Sequence, residues 1–194
     1  MKERIQSYIQ NVCGLLQALP IDDIQRAIDL LIAAAHRGSR VYLMGNGGSA
    51  ATASHMANDL AKGTMVPGAP RFQALSLTDN VPLITAWAND TDYTRIFEAQ
   101  LDPLVRRDDV VIGISGSGNS ENVLRAIRLA KARGAHTIGF TGAKGGKLAY
   151  LVDVNILAAQ AAMEPAEDVH MFLDHLICTT IRALWRQEFG APDE

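Results

Sequence analysis

Hydrophobic positions along the chain first recur at helical spacing and then gather into short apolar runs. Ile5, Ile9, Val12, Leu15 and Leu16 lie on one helical stripe, which predicts an amphipathic helix that Pro20 interrupts. A second helix follows, capped by Asp22 or Asp23, with Ile24, Ala27, Ile28, Leu31 and Ile32 on its apolar face and Gly38 at its end. From Arg40 onward, buried strands alternate with helices. Strands are predicted over Arg40–Met44, Phe72–Leu77, Asp109–Ser115, His136–Thr141 and Val152–Leu157. Helices are predicted from about Gly48 to Lys62, over Val81–Ala88, Arg95–Leu104, Asn119–Arg133 and Lys147–Leu151, and from about Ala166 to Glu188. This alternation implies an α/β fold: a doubly wound, five-stranded parallel sheet of flavodoxin-like order, covered on both faces and linked by right-handed crossovers. Residues 1–37 form an N-terminal helical extension suited to oligomerisation, and residues 38–194 form the sheet domain.

Ligands of such sheets bind beyond the carboxyl ends of the strands. After the first strand come Gly45-Asn46-Gly47-Gly48-Ser49-Ala50, opening a helix. After the third long strand come Ser115-Gly116-Ser117-Gly118-Asn119-Ser120, again opening a helix. Glycines let a backbone approach closely, and the free N–H groups at a helix start attract an anion. The three hydroxyls of the second loop converge with several amides on something small, oxygen-rich and anionic, and a phosphate fits. Gly45-x-Gly47-x-x-Ala50 also matches the relaxed dinucleotide fingerprint, but Met65 to Gly68 is apolar where an acid should hold a ribose. The chain has no P-loop sequence. Ser115 and Ser117 lack the G-x-S-x-G frame, so the serines read as phosphate ligands and not as nucleophiles.

Composition narrows the class. The 194 residues are 48% hydrophobic and 20% charged, enough for a real core, which excludes a disordered chain or a small disulfide scaffold. A net charge of -3 with dispersed basic residues argues against nucleic acid as a partner. Cys13 and Cys178 sit in apolar helical contexts without metal or redox spacing and read as buried thiols. No apolar run is long enough to span a membrane, and Met1 to Gln10 does not resemble a signal peptide, so a cytoplasmic protein is expected.

Four segments in order carry a resemblance. They are Gly45 to Ala50, Ala88-Asn89-Asp90, Ile114 to Ser120, and Thr141-Gly142-x-x-Gly145-Gly146-Lys147. Together they resemble the sugar isomerase (SIS) domain, and within it the sedoheptulose 7-phosphate (phosphoheptose) isomerase branch. The resemblance covers nearly the whole chain, and makes residues 38–194 the SIS domain. It implies interconversion of ketose and aldose phosphates through an enediol, which needs an anchored phosphate, a base that moves a proton between C1 and C2, and stabilisation of an oxyanion. By resemblance, Ser49, Ser115, Ser117 and Ser120 bind phosphate, assisted by the Gly47, Gly48 and Gly116 backbone, while Asn46 and Asp90 contact sugar hydroxyls. Family members usually have threonine where Gly116 stands.

The resemblance also implies a metal site. The family's His and Glu map onto His55 and Asp59, and its Gln and His onto Glu167 and His175. His55 and Asp59 lie one turn apart on one helix face, with Cβ atoms about 5–6 Å apart. Two imidazoles and two carboxylates would balance a divalent cation, with zinc expected and iron, nickel or manganese as alternatives. Asp59 and His175 would move the protons, and Glu167 would also face the substrate. Eight residues of unbroken helix would set Glu167 and His175 about 12 Å apart along the axis. Sharing one ion therefore requires Glu167 to precede the helix proper, as Pro165 suggests, or the two to come from different subunits. His170 points about 140° away from His175 and reads as packing or support. His36, His136, Trp87 and Trp185 read as structural, and the stripe Phe172, Leu176, Ile177, Ile181, Leu184 as a face packed on the sheet or on another subunit. Glu164 and Pro165 stand where the family commonly has Asp and Arg, which makes the rim of the site more acidic.

The expected protein is a metal-assisted phosphosugar isomerase, acting on sedoheptulose 7-phosphate to give a heptose phosphate for surface-polysaccharide precursors. The family resemblance implies a homotetramer with sites at subunit interfaces. The alternatives are a non-catalytic sugar-phosphate-binding or protein-interaction module, and an isomerase of another sugar phosphate.

Overall fold

A computed structural model of the chain describes residues 1–159 and 161–190. Five strands, β1 (Arg40–Gly45), β2 (Gln73–Ser76), β3 (Val110–Ser115), β4 (His136–Ala143) and β5 (Val154–Ala159), form one parallel sheet in the order β2-β1-β3-β4-β5. The flavodoxin-like order expected of the sequence is therefore the one observed. Its topological switch point lies between β1 and β3, where the two glycine-serine loops leave the sheet. Gly45 pairs with Ile114 and Ser115 with Thr141, so these loops emerge at one level.

Among the described residues eight α-helices enclose the sheet: α1 (Lys2–Gln17), α2 (Ile21–Arg37), α3 (Gly48–Asn58), α4 (Val81–Asp90), α5 (Ile96–Leu101), α6 (Glu121–Ala132), α7 (Gly146–Leu151) and α8 (Met163–Phe189). Alternate strand residues feed two cores, because successive side chains of a strand point to opposite faces. Val41, Leu43, Ile112 and Ile114 pack with α2, α3 and α8 on one face. Tyr42, Met44 and Val111 pack with α5 and α6 on the other. Central strands buried on both faces explain why the sequence shows continuous apolar runs there. Trp185 is buried and stacks on Phe72 with ring centroids 5.2 Å apart, which anchors α8 to the sheet domain.

Several local expectations are corrected. Pro20 occupies the N-cap of α2, so Asp22 and Asp23 fall inside its first turn, where they favour the helix dipole without capping it. The predicted helix from Gly48 to Lys62 is α-helical only to Asn58 and then widens into a π turn over Asp59–Gly63, in which Thr64 N–H donates to the Asp59 carbonyl at 3.0 Å. The predicted helix over Arg95–Leu104 is a 3-10 turn, Tyr93–Arg95, followed by α5. Helix α8 begins at Met163, so Pro165 lies in its first turn, where the missing N–H breaks no hydrogen bond, and Glu167 is helical. Cys178 is buried as expected, but Cys13 is exposed. It lies on α1, none of whose residues is buried; Ile5 and Ile9 are each 55% exposed. The apolar stripe of α8 divides, with Ile177 and Ile181 buried and Phe172 and Leu184 exposed. Among the described residues, no helix is long and apolar enough to cross a membrane.

Candidate active site

Helices α3 and α8 run parallel and in register. The sequence offset is 120 for the His55–His175 contact and 119 for Arg182, which donates to the Gly63 carbonyl; Gly48 and Glu167 meet at that same offset. Two chemically different sites lie along this pair, one at its start and one two turns further on.

At the start is a small pocket of about 130 Å³ lined by Asn46, Ser49, Ile114, Ser115, Gly116, Ser117, Ser120, Met163 and Glu167. The N-termini of α3 and α6 both open here, and their free N–H groups favour an anion. The hydroxyls of Ser115 and Ser120 lie 3.1 Å apart, and Ser49 is buried in the first turn of α3. The Ser117 hydroxyl accepts from Asn119 N–H at 3.1 Å, which shapes the turn. The end of β4 and the start of α7 support the serine loop: Gly142 N–H donates to the Gly116 carbonyl at 3.1 Å and Leu148 N–H to the Gly118 carbonyl at 2.9 Å. Asn46 and Asn122 exchange amide hydrogen bonds of 2.9 and 2.8 Å, and the Tyr93 hydroxyl donates to Asn46 Oδ1 at 3.0 Å. Among the described residues no lysine or arginine lines this pocket, so hydroxyls, backbone amides and helix dipoles are what they offer an anion.

Two glycines shape the pocket by what they leave out. A Cβ at Gly48 would stand 2.5 Å from the Glu167 carboxyl carbon, so glycine is what lets the carboxylate lie in this position against the start of α3. A Cβ at Gly116 would stand 2.8 Å from Met163 Sδ, so the thioether fills the space that a larger residue at 116 would take.

Further along, His55, Asp59, Asp174 and His175 each bring one donor atom into a group whose members all lie within 4.8 Å of one another. His55 Nε2 is 3.2 Å from His175 Nε2 and 3.6 Å from Asp59 Oδ2, and His175 Nε2 is 4.0 Å from that same oxygen. Tetrahedral zinc with ligand bonds of about 2.0–2.2 Å sets its ligand atoms about 3.3–3.6 Å apart, so the donor set and its spacing fit such an ion. Burial, then the charge of Asp59, pushes the Asp174 carboxyl up to about 6. Nearby His170 is fully buried beside Phe140, with ring centroids 6.1 Å apart, and burial pushes it down to about 4. No hydrogen bond of ordinary geometry reaches either of its ring nitrogens from the described residues, although the Thr141 backbone beside it favours the cation slightly. The Tyr8 hydroxyl donates to Asp168 at 2.6 Å, tying α1 to α8, and that bond raises its pKa to about 12.

The structure thus gathers Asn46, Ser49, Ser115, Gly116, Ser117 and Ser120 around one pocket, with Gly47 and Gly48 at the N-terminus of α3. It brings together His55, Asp59 and His175 as the expected metal group, but not Glu167. Glu167 is helical and lies about 12 Å below His175 along α8, so it joins the pocket residues instead. Asp90 ends α4, accepts from Asn89 Nδ2 at 2.9 Å, and does not line the pocket. Asp174, Asn122, Tyr93 and Met163 were not anticipated. A carboxylate at 174, on the buried stripe that also holds Leu173, Ile177, Cys178 and Ile181, was the available signal for the first.

Comparisons with known proteins agree with this geometry. The SIS domain pattern matches residues 7–142. The phosphoheptose isomerase of Aneurinibacillus thermoaerophilus is 34% identical over 97% of this chain and 98% of its own length. A probable phosphoheptose isomerase of Thermoplasma acidophilum is 39% identical over 91% and 96%. Among solved structures, the phosphoheptose isomerase GmhA from Neisseria gonorrhoeae has a TM-score of 0.84 and 29% identity, with 94% of this chain and 98% of that one covered. A phosphoheptose isomerase from Francisella tularensis gives 0.83 and 28%, covering 94% and 96%.

Proposed function

The chain belongs to the SIS-domain family, in its phosphoheptose isomerase branch, and from that premise we propose that it converts sedoheptulose 7-phosphate to the corresponding heptose 7-phosphate, an aldose–ketose isomerisation through an enediol. One observation carries the reading: a pocket suited to an anion and a histidine–carboxylate group are laid out along the same two parallel helices. Gly48 to His55 on α3 and Glu167 to His175 on α8 correspond to about 10–12 Å of helix. An extended seven-carbon chain with a terminal phosphate spans about 10 Å at ordinary bond lengths. With the phosphate seated at one end, C1 and C2 reach the other.

The phosphate is held by Ser49, Ser115, Ser117 and Ser120, with the Gly47, Gly48 and Gly116 backbone and two helix N-termini supplying the remaining attraction. Asn46, locked by Asn122 and Tyr93, presents its amide to the sugar hydroxyls, and Asp90 and Glu167 supply further acceptors. The His55, Asp59, His175 group holds a divalent cation, zinc by preference, which when bound supplies Lewis-acid polarisation of the sugar oxygens. Asp59 and His175 carry the protons: one leaves C1 of the ketose and is returned at C2, while a hydroxyl proton passes from O1 to O2. Both side chains keep access to solvent, at 23% and 54% exposure, so they can reach a bound sugar. Helix α1, with no buried residue of its own and with Ile5 and Ile9 exposed, supports assembly as a homotetramer with sites at subunit interfaces. The reaction is placed in the cytoplasm.

The test is NMR of sedoheptulose 7-phosphate with zinc-loaded protein. Aldose phosphate signals should grow in, stop when a chelator strips the ion, and resume on zinc addition. A zinc-loaded protein that binds the sugar phosphate and forms no aldose is a sugar-phosphate-binding module and not an isomerase.

A further inference from the structure

Asp174 is a carboxylate in an apolar setting. It is fully buried on the face of α8 that also holds Leu173, Ile177 and Cys178. Its Oδ1 accepts from the Cys178 thiol at 3.5 Å, while its Oδ2 is buried without a hydrogen-bond partner among the described residues. Buried carboxylate oxygens are normally answered by a donor or a cation, because leaving water without one is costly. The groups that face Asp174 are the donor atoms of His55, Asp59 and His175, all within 4.8 Å of one of its oxygens. The Nε2 atoms of His55 and His175 face each other at 3.2 Å and neither donates to that oxygen, while Asp59 brings a second carboxylate, so a cation held among these groups is what would answer it. Glu167, the ligand that family resemblance implies, is held away from the group, with its carboxylate against Gly48 at the start of α3.

We infer that Asp174 is the fourth ligand of the metal site, so that His55, Asp59, Asp174 and His175 hold the ion and Glu167 is released to face the sugar phosphate. The inference rests on the proposed reading that a divalent cation occupies this group. Two carboxylates then balance the charge of the ion, and the buried one anchors it to the rigid side of α8. The remaining ligands stand on the solvent side, where a sugar can approach.

The test compares the full-length wild type with Asp174→Asn and Glu167→Gln. Zinc affinity is read by chelator competition, and the cobalt-substituted proteins are read by their visible absorption. The wild type should take up one equivalent per chain with the intense bands of four-coordinate cobalt. Asp174→Asn should lose at least about 10-fold in zinc affinity and show weakened, shifted cobalt bands as the fourth protein ligand is lost. Glu167→Gln should match the wild type in both. Wild-type affinity and spectrum in Asp174→Asn overturn the inference, as does an equal loss of affinity in Glu167→Gln. A wild type that binds neither metal defeats the cation reading itself. Circular dichroism of the metal-free proteins checks folding, and Asp174→Ala carries the same comparison if Asp174→Asn does not fold.

Discussion

Replacing His170 with leucine should make the protein more resistant to acid. The imidazole is fully buried against Phe140, and burial holds its pKa near 4, against 6.5 for the free group. As pH falls, the unfolded chain takes up a proton near pH 6.5 that the folded chain refuses until about pH 4. The contribution of a neutral His170 is thus complete above pH 6.5 and is lost progressively between 6.5 and 4. A gap of about 2.5 pKa units is worth about 3 kcal/mol at the acid end of that window, with a limiting slope of about 1.4 kcal/mol per pH unit. Urea unfolding of metal-stripped wild type and His170→Leu, at one fixed protein concentration and at pH values from 8 to 4, measures it. Other titrating groups are common to both proteins and cancel in the difference. The leucine variant should gain on the wild type by about 3 kcal/mol between pH 7 and 4, whatever constant offset its packing introduces. A pH-independent difference would mean that the imidazole is solvated in the folded chain, and the burial argument would be wrong.

Three further substitutions probe the site. Gly48→Ala places a methyl group 2.5 Å from the Glu167 carboxyl carbon, the end of a flexible side chain that can swing aside, and should cost less than about 1 kcal/mol in thermal unfolding; a larger loss that Glu167→Ala in the same chain does not recover would show that another contact excludes the methyl. Asp59→Asn should abolish turnover and leave sugar-phosphate affinity, measured calorimetrically, near wild type, because the phosphate is anchored elsewhere; substantial residual turnover removes Asp59 from the chemistry. Ser120→Ala leaves the Ser115 hydroxyl without its neighbour at 3.1 Å and removes one donor to a dianion. The Michaelis constant should rise by about 10- to 100-fold with a smaller effect on kcat, and an unchanged constant would place the phosphate outside the serine loop.

Strand positions were readable in the sequence because the central strands are buried on both faces and are mostly apolar there, and the sheet order because the alternation of strands and helices implies a doubly wound sheet. The ends of elements were less so. The π turn that opens at Asp59 carries no local signature, and the start of α8 at Met163 depends on a proline that either precedes or enters a first turn. The phosphate loops were readable because glycine and serine at two adjacent strand ends have few other uses. The place of Glu167 against Gly48 and of Asp174 beside His175 has no local signature, since which side of a helix meets which neighbour is settled by tertiary packing. Cys13 shows a similar limit. An apolar stripe says that α1 seeks burial, but not that the covering surface lies within the same chain.

Deuterium exchange during turnover bears most directly on the enediol chemistry. Zinc-loaded protein is incubated with sedoheptulose 7-phosphate in D₂O, and the sugar phosphates are examined for label. Deuterium should appear at C2 of the aldose, and at C1 of recovered ketose, at rates that fall away together in Asp59→Asn. Aldose formed without any solvent deuterium, and at an undiminished rate in Asp59→Asn, would mean that hydrogen moves between the carbons without passing through Asp59, and would contradict the enediol account.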